Sequence, residues 1–285
     1  MTNPIVRVIG YTTFVGVPID LLPAASGSVV SVTNDVGFIA DGQAKIAAKK
    51  QDQGSDLARL IECAGRTCYD SYGQGRPSSE YHDHIKEVGH GSVTEHAVIN
   101  FYLDNISRGC THELVRHRAG CAISQRSTRY VDESGSPWIL HPLLEQYLLP
   151  DGTPGQTPQI GMHEVIGNAV SAGKHAYDSI VEALQDHMIR KGVDKFTARK
   201  QARGAARGLL GNALCTSMVW SANVRAIRNV ITQRANPAAD AEIRVLTNRI
   251  YEESAKICPE YFNDFEKVEC PDGIGYGLVT KYPKI

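Results

Sequence analysis

Four arginines, one histidine and two serines fall between Arg116 and Arg129, in a chain whose formal net charge is only −1. The order is Arg116-His117-Arg118, then Gln125-Arg126-Ser127-Thr128-Arg129-Tyr130. Guanidinium groups donate paired N–H bonds to phosphate or carboxylate oxygens, and hydroxyls among them add neutral donors. The chemistry this favours is capture of an anionic ligand bearing phosphate. A solvated helix end followed by a polar loop is the bland alternative for any arginine cluster taken alone.

The flanking elements decide how such a cluster is presented. Residues 97–103 read as a strand, followed by a turn through 104–109. Residues 111–118 read as a short helix, with Thr111 as N-cap and Glu113 in its electropositive first turn. The cluster then sits at a helix end beside a sheet. Elsewhere, apolar spacing predicts helices over 56–71, 79–88, 163–190, 197–210, 224–235 and 238–258. Residues 212–220 are strand-like, and 29–32 and 36–39 are candidate strands in a poorly readable N-terminal region. Five prolines mark 132–162 as an irregular excursion. With few strands and no βαβ repetition, the expected class is α+β. The expected arrangement is a single domain with a small, mostly antiparallel sheet flanked by helices.

A second group lies downstream: Asn223, Arg225, Asn229 and Arg234. At about 100° per residue, Arg225 and Asn229 share a helix face, while Asn223 and Arg234 fall near the opposite one. A site built where subunits meet would use both faces. Arg199, Lys200, Arg203 and Arg207 form a basic run that taken alone reads as a solvated face.

Other chemistries are disfavoured. His112-Glu113 is followed by histidine at 117 rather than 116, so the two histidines do not share a helix face as a metalloprotease requires. No Ser–His–Asp arrangement supports Ser127 as a nucleophile. His82, His84, His90 and His96 lack a Cys or carboxylate to complete a metal site. Neither G-x-G-x-x-G nor a P-loop occurs, and the glycines at 273, 275 and 277 have the wrong spacing. A pI near 6.8 argues against non-specific nucleic-acid binding. No apolar run reaches membrane-span length. Seven cysteines without paired spacing suit free thiols in a reducing cytoplasm.

The Arg116-His117-Arg118 block with Ser127-x-Arg129-Tyr130 resembles the signature of the flavin-dependent thymidylate synthases. Segments 90–96, 200–207 and 223–244 follow the same family order, so the resemblance covers roughly residues 58–266. The expected organisation is an N-terminal extension (1–55), the family domain (56–266) and a C-terminal tail (267–285).

The resemblance implies conversion of 2′-deoxyuridine monophosphate (dUMP) to thymidine monophosphate. FAD would be the cofactor, methylenetetrahydrofolate the carbon donor and NADPH the reductant. Ser92, Arg116, His117, Arg118, Gln125, Asn223, Arg225 and Asn229 would meet the flavin. Glu113, Arg116, Gln125, Ser127, Thr128, Arg129 and Arg207 would hold dUMP, several of them near its phosphate. Arg234 would be the catalytic group, contacting the uracil and favouring ionisation at N3. No metal is expected. The implied assembly is a cytoplasmic homotetramer with active sites between subunits. The chain departs from the family in two places. Its 118-to-127 spacing is one residue longer than the commoner pattern, and Gly211 stands where proline is expected. Two alternatives stay open: a flavin enzyme that installs hydroxymethyl on a pyrimidine nucleotide, and a non-catalytic nucleotide- or RNA-binding protein.

Overall fold

The computed structural model describes residues 3–14, 54–71, 75–148 and 160–284. The candidate strands at 29–32 and 36–39 lie outside the described residues. The class is α+β, as expected. An antiparallel sheet of four strands, in order β1-β2-β4-β3, comprises β1 (Ile5–Tyr11), β2 (Val98–Ser107), β3 (Cys121–Gln125) and β4 (Cys215–Asn223). Helices α1 (Asp56–Tyr69) and α2 (Ser78–Val88) precede β2, and α3 (Arg108–Leu114) follows it. Between β3 and β4 come α4 (Pro142–Leu148), α5 (Ile160–Arg190) and α6 (Lys195–Ala206). After β4 come α7 (Val224–Arg234), α8 (Ala241–Ile257) and α9 (Pro259–Phe262).

Alternation in β2 explains where the core sits. Ile99, Phe101 and Leu103 are fully buried, while their neighbours are partly exposed. Phe101 stacks on Trp220 of β4 at 5.6 Å. Leu57 and Ile61 of α1, Ile227 and Ile231 of α7, and Leu246 and Ile250 of α8 complete one cluster. Each such side chain contributes roughly 1.5–3 kcal/mol by leaving water.

Several sequence expectations need correction. β2 does not turn at 104–109 but continues to Ser107 through a bulge, with Asn105 at φ 57°. Asparagine tolerates this left-handed backbone. The helix that follows starts at Arg108, not at Thr111. Ser107 is its N-cap, its hydroxyl accepting from Cys110 N at 2.9 Å. Thr111 instead donates to Arg108 O at 2.8 Å from inside the helix. The reason is tertiary. Glu242, in the first turn of α8, accepts from both Ser107 N (2.8 Å) and Ser107 Oγ (2.6 Å) and holds the cap in place. Glu113 therefore lies in the last turn of α3, where carbonyl ends make the environment electronegative rather than electropositive.

Four strands were not anticipated, two of them in the main sheet. β3 occupies the interval between Arg118 and Ser127, read in the sequence as loop, and pairs with β4. β1 comes from the N-terminal region and forms an edge of the sheet against β2. Of the segment 267–285, read as a tail, the described residues 267–284 are built into the fold. Its strand β6 (Gly277–Thr280) pairs with β5 (Phe265–Val268), and Ile274 and Leu278 are buried.

Candidate active site

Arg234 ends α7, where a cation suits the helix dipole. Its Nε donates to His117 Nε2 at 3.0 Å and its Nη1 to Glu113 Oε2 at 2.6 Å. Both partners belong to α3 or its exit, so one guanidinium joins two segments far apart in sequence. Burial pushes the Glu113 pKa up, Arg234 pulls it back, and Asp240 and Glu242 push it up again. Burial and then the Arg234 cation hold the His117 pKa below the ordinary histidine value. A neutral imidazole that accepts from a fixed guanidinium follows. Arg116 and Arg118, on either side of His117, are exposed.

A second neighbourhood surrounds the start of α7. Asn223 is its N-cap, accepting from Ala226 N at 2.8 Å, so it is not part of the helical face the sequence suggested. Asn223, Arg225 and Asn229 nevertheless line one cavity of about 260 Å³, with Glu95, Ala119 and Gly120. Arg225 donates to Glu95 at 2.5 Å, and both are exposed. Gly120 has φ +70°, and a Cβ there would lie 2.4 Å from Asn223 Nδ2. Asn223 N in turn donates to Gly120 O at 3.0 Å. Ser92 is exposed on the 3-10 turn Gly91–His96, which packs against Arg225: a Cβ at Gly91 would meet Arg225 Nε at 3.0 Å.

The third neighbourhood is the loop after β3. Arg129 is exposed, its N–H donating to Ser127 Oγ at 3.4 Å, while Thr128 is buried. Arg129 lies against α6, within 3.7 Å of where a Cβ on Gly204 would stand. Arg207 is exposed at the end of α6 and close enough to Arg108 to oppose its charge. Gln125 Nε2 donates to Thr111 Oγ1 at 2.9 Å and so ties this loop to α3.

The predicted residues thus form three adjoining groups. Arg108, Arg126 and Glu133 belong to the third and were not singled out from sequence. The Ser-Arg pair opening α3 was the available signal for Arg108. Nothing local marked Glu133, which is 1% exposed. A larger cavity of about 570 Å³ also touches Glu113; Cys110, Trp138, Leu144, Val170 and Asp240 are among its lining residues.

Comparison with known proteins settles the family. The model of the thymidylate synthase complementing protein family matches residues 52–260. The chain belongs to this family. A relative from Mycolicibacterium vanbaalenii, named flavin-dependent thymidylate synthase, is 39% identical over 220 residues, covering 76% of this chain and 82% of that protein. Proteins of the same name from Mycobacterium sp. (strain JLS) and Mycobacterium tuberculosis are 40% and 38% identical. The first covers 76% of this chain and 83% of its own length, the second 75% and 82%. Membership of the thymidylate synthase complementing family therefore rests on most of the chain, including all three groups of site residues. Among the described residues, no helix is long and apolar enough to cross a membrane.

Proposed function

We propose that the protein is an FAD-dependent thymidylate synthase that converts dUMP to thymidine monophosphate, with methylenetetrahydrofolate as carbon donor and NADPH as reductant. The observation that carries this reading is Arg234, a half-buried guanidinium held between the Glu113 carboxylate and a neutral His117. A cation fixed before reaction stabilises charge that develops on a bound ring without having to reorganise. Placed against the uracil, Arg234 favours ionisation at N3 and so raises electron density at C5.

Ser127, Thr128, Arg129 and Arg207 anchor the nucleotide, aided by Glu113, Arg116 and Gln125. The guanidiniums grip phosphate bidentately and the Ser127 hydroxyl adds a neutral donor. Of these, Thr128 is buried and acts through the loop it holds. Ser92, Arg116, His117, Arg118, Gln125, Asn223, Arg225 and Asn229 seat the flavin, which supplies hydride transfer when bound. The donor set fits such a group: the amides of Asn223 and Asn229, the Arg225 guanidinium and the Lys284 ammonium line the Asn223 cavity beside the Glu95 carboxylate, and Gly120 keeps the backbone close.

The proposed assembly is a homotetramer with sites completed between subunits, in which the exposed Arg116, Arg118 and Arg225 would face a neighbouring subunit. Residues 56–266 form the catalytic domain, with 1–55 as an extension and 267–285 as its C-terminal segment.

The test is anaerobic incubation with FAD, NADPH, methylenetetrahydrofolate and dUMP, followed by mass spectrometry of the nucleotide. A methyl gain requiring all four components is the expected result. A hydroxymethyl gain would keep the sites and change the reaction. Unchanged nucleotide with flavin bound would overturn the assignment.

A further inference from the structure

The loop that carries Ser127 and Arg129 is closed by an ion pair of its own. Arg126 opens the loop, its N–H donating to Ser217 O of β4 at 3.0 Å. Its Nη2 then reaches across to Glu133 Oε2 at 3.2 Å and Ser136 Oγ at 3.1 Å. Ser136 donates back to the same Glu133 oxygen at 2.5 Å. Within the closed loop, Tyr130 N and Val131 N both donate to Ser127 O, at 3.2 and 3.0 Å. On the outside, Arg203 of α6 donates to Tyr130 O at 2.9 Å and to Asp132 at 2.5 Å.

Glu133 is 1% exposed, and Arg126, Ser136 and the nearby Arg108 cation are the groups that face it. It is also the counter-charge within a crowd of arginines. The charge of Arg108 is disfavoured by burial, favoured by Glu133 and disfavoured again by Arg207. Arg108 Nη1 donates to Arg126 O over a long 3.5 Å. Without Glu133, like-charged groups would push apart the face on which an anion must land.

We propose that Glu133 is a positioning residue for nucleotide binding. With Arg126 and Ser136 it locks the 126–136 loop, so that Ser127 and Arg129 face the phosphate beside Arg207. This rests on the functional reading given above. Glu133 touches no substrate; it acts through the loop and through the spacing of the arginines. The predicted effect is therefore on affinity for the phosphate-bearing ligand, not on the chemical step.

The test is Glu133→Gln in flavin-loaded enzyme, measured by dUMP binding, deoxyuridine binding and steady-state kinetics. The expected result is a KM and Kd for dUMP raised about tenfold. Turnover at saturating dUMP, flavin retention and the weak binding of deoxyuridine should be unchanged. Glu133→Asp should recover part of the affinity. If Glu133→Gln fails to fold, Ser136→Ala removes one tether while the Arg126–Glu133 pair stays in place, and should weaken dUMP alone by about threefold, in line with one lost hydrogen bond. Equal losses for dUMP and deoxyuridine, or an unchanged dUMP affinity, would overturn the inference. Wild-type enzyme that binds dUMP but makes no thymidylate would overturn the reaction while leaving this role standing. Wild-type enzyme that does not bind dUMP would overturn both.

Discussion

Arg234 donates to Nε2 of His117 at 3.0 Å, although 117 residues of chain separate them. The same guanidinium holds Glu113 at 2.6 Å. The contact welds the end of α7 to the exit of α3, and so brings together the two basic segments that stood apart in the sequence. Its geometry also sets the protonation of its partner. An imidazole that accepts from a guanidinium must be neutral at the accepting nitrogen.

Arg234→Ala removes the fixed cation. Turnover should fall by about 10²–10³-fold, the usual cost of losing one preorganised donor to a developing charge. Flavin absorbance of the purified protein should be retained, because the Asn223 cavity is not lined by Arg234. A fully active variant would end its assigned role.

His117 should set an acid limb in the pH profile. Its pKa is lowered by burial and by Arg234. Protonation, which comes only below the ordinary histidine range, would place a second cation beside the first and remove the accepting lone pair. The kcat/KM of the wild type should therefore fall on the acid side of about pH 6.5, the unperturbed value. In His117→Gln that limb should disappear, because glutamine can still accept but does not titrate. Persistence of the same limb would assign it to another group.

Gly120→Ala tests the Asn223 cavity. The added Cβ meets the Asn223 side chain at 2.4 Å, on a backbone at φ +70° that alanine adopts with strain. The substitution should loosen the cap of α7 and raise the dissociation constant for flavin at least about tenfold, the equivalent of 1.4 kcal/mol, within the usual worth of a cap. The affinity for dUMP should change less. Flavin affinity equal to wild type would show that Asn223 does not need this placement.

Asp264→Asn tests a buried ion pair in the core. Arg228 is fully buried and donates to Asp264 Oδ1 at 2.7 Å and Oδ2 at 2.9 Å. Burial alone would raise the Asp264 pKa, but the hydrogen bonds and charge of Arg228 outweigh it and lower it. Breaking one side of such a pair costs about 3–5 kcal/mol, so chemical denaturation should show a loss near the lower end, since asparagine keeps one acceptor. The contribution is present above the unfolded carboxylate pKa and lost as pH falls through the lower folded value. The difference between wild type and variant should therefore shrink in acid.

His82 supplies a stability change at milder pH. It is 2% exposed, with Nδ1 at 3.0 Å from Tyr261 Oη. Burial pushes its pKa down to about 4, with Glu260 opposing. The unfolded chain then binds a proton that the folded one refuses between about pH 6.5 and 4. Stability rises with pH across this window and falls as the solution is acidified through it. The loss amounts to on the order of 3 kcal/mol at the acid end. Unfolding free energies measured at intervals from pH 7 to 4 should show it, and His82→Phe should flatten that part of the curve. An unchanged slope in the variant would exclude His82 as the source.

Much of the fold was legible because local physics wrote it. The helices of 56–71, 79–88, 224–235 and 238–258 follow from apolar spacing, and the observed bounds differ by a few residues. The arginine segments that line the candidate site were visible as residue types at close spacing. Their order along the chain follows the family pattern.

Tertiary structure decided the rest. Thr111 and Ser107 are both good N-caps by residue type, and only Glu242, 135 residues from Ser107, selects Ser107. That choice moves Glu113 from the first turn of α3 to its last, within reach of Arg234. β1 and β3 are short, and their strand state depends on edges offered by β2 and β4, which no local pattern announces. Glu133 is an ordinary acidic residue in a polar loop until folding buries it against Arg126 and Ser136. Residue chemistry and short-range periodicity are properties of the chain alone. Which caps, edges and charges find partners depends on segments that meet only when the core closes.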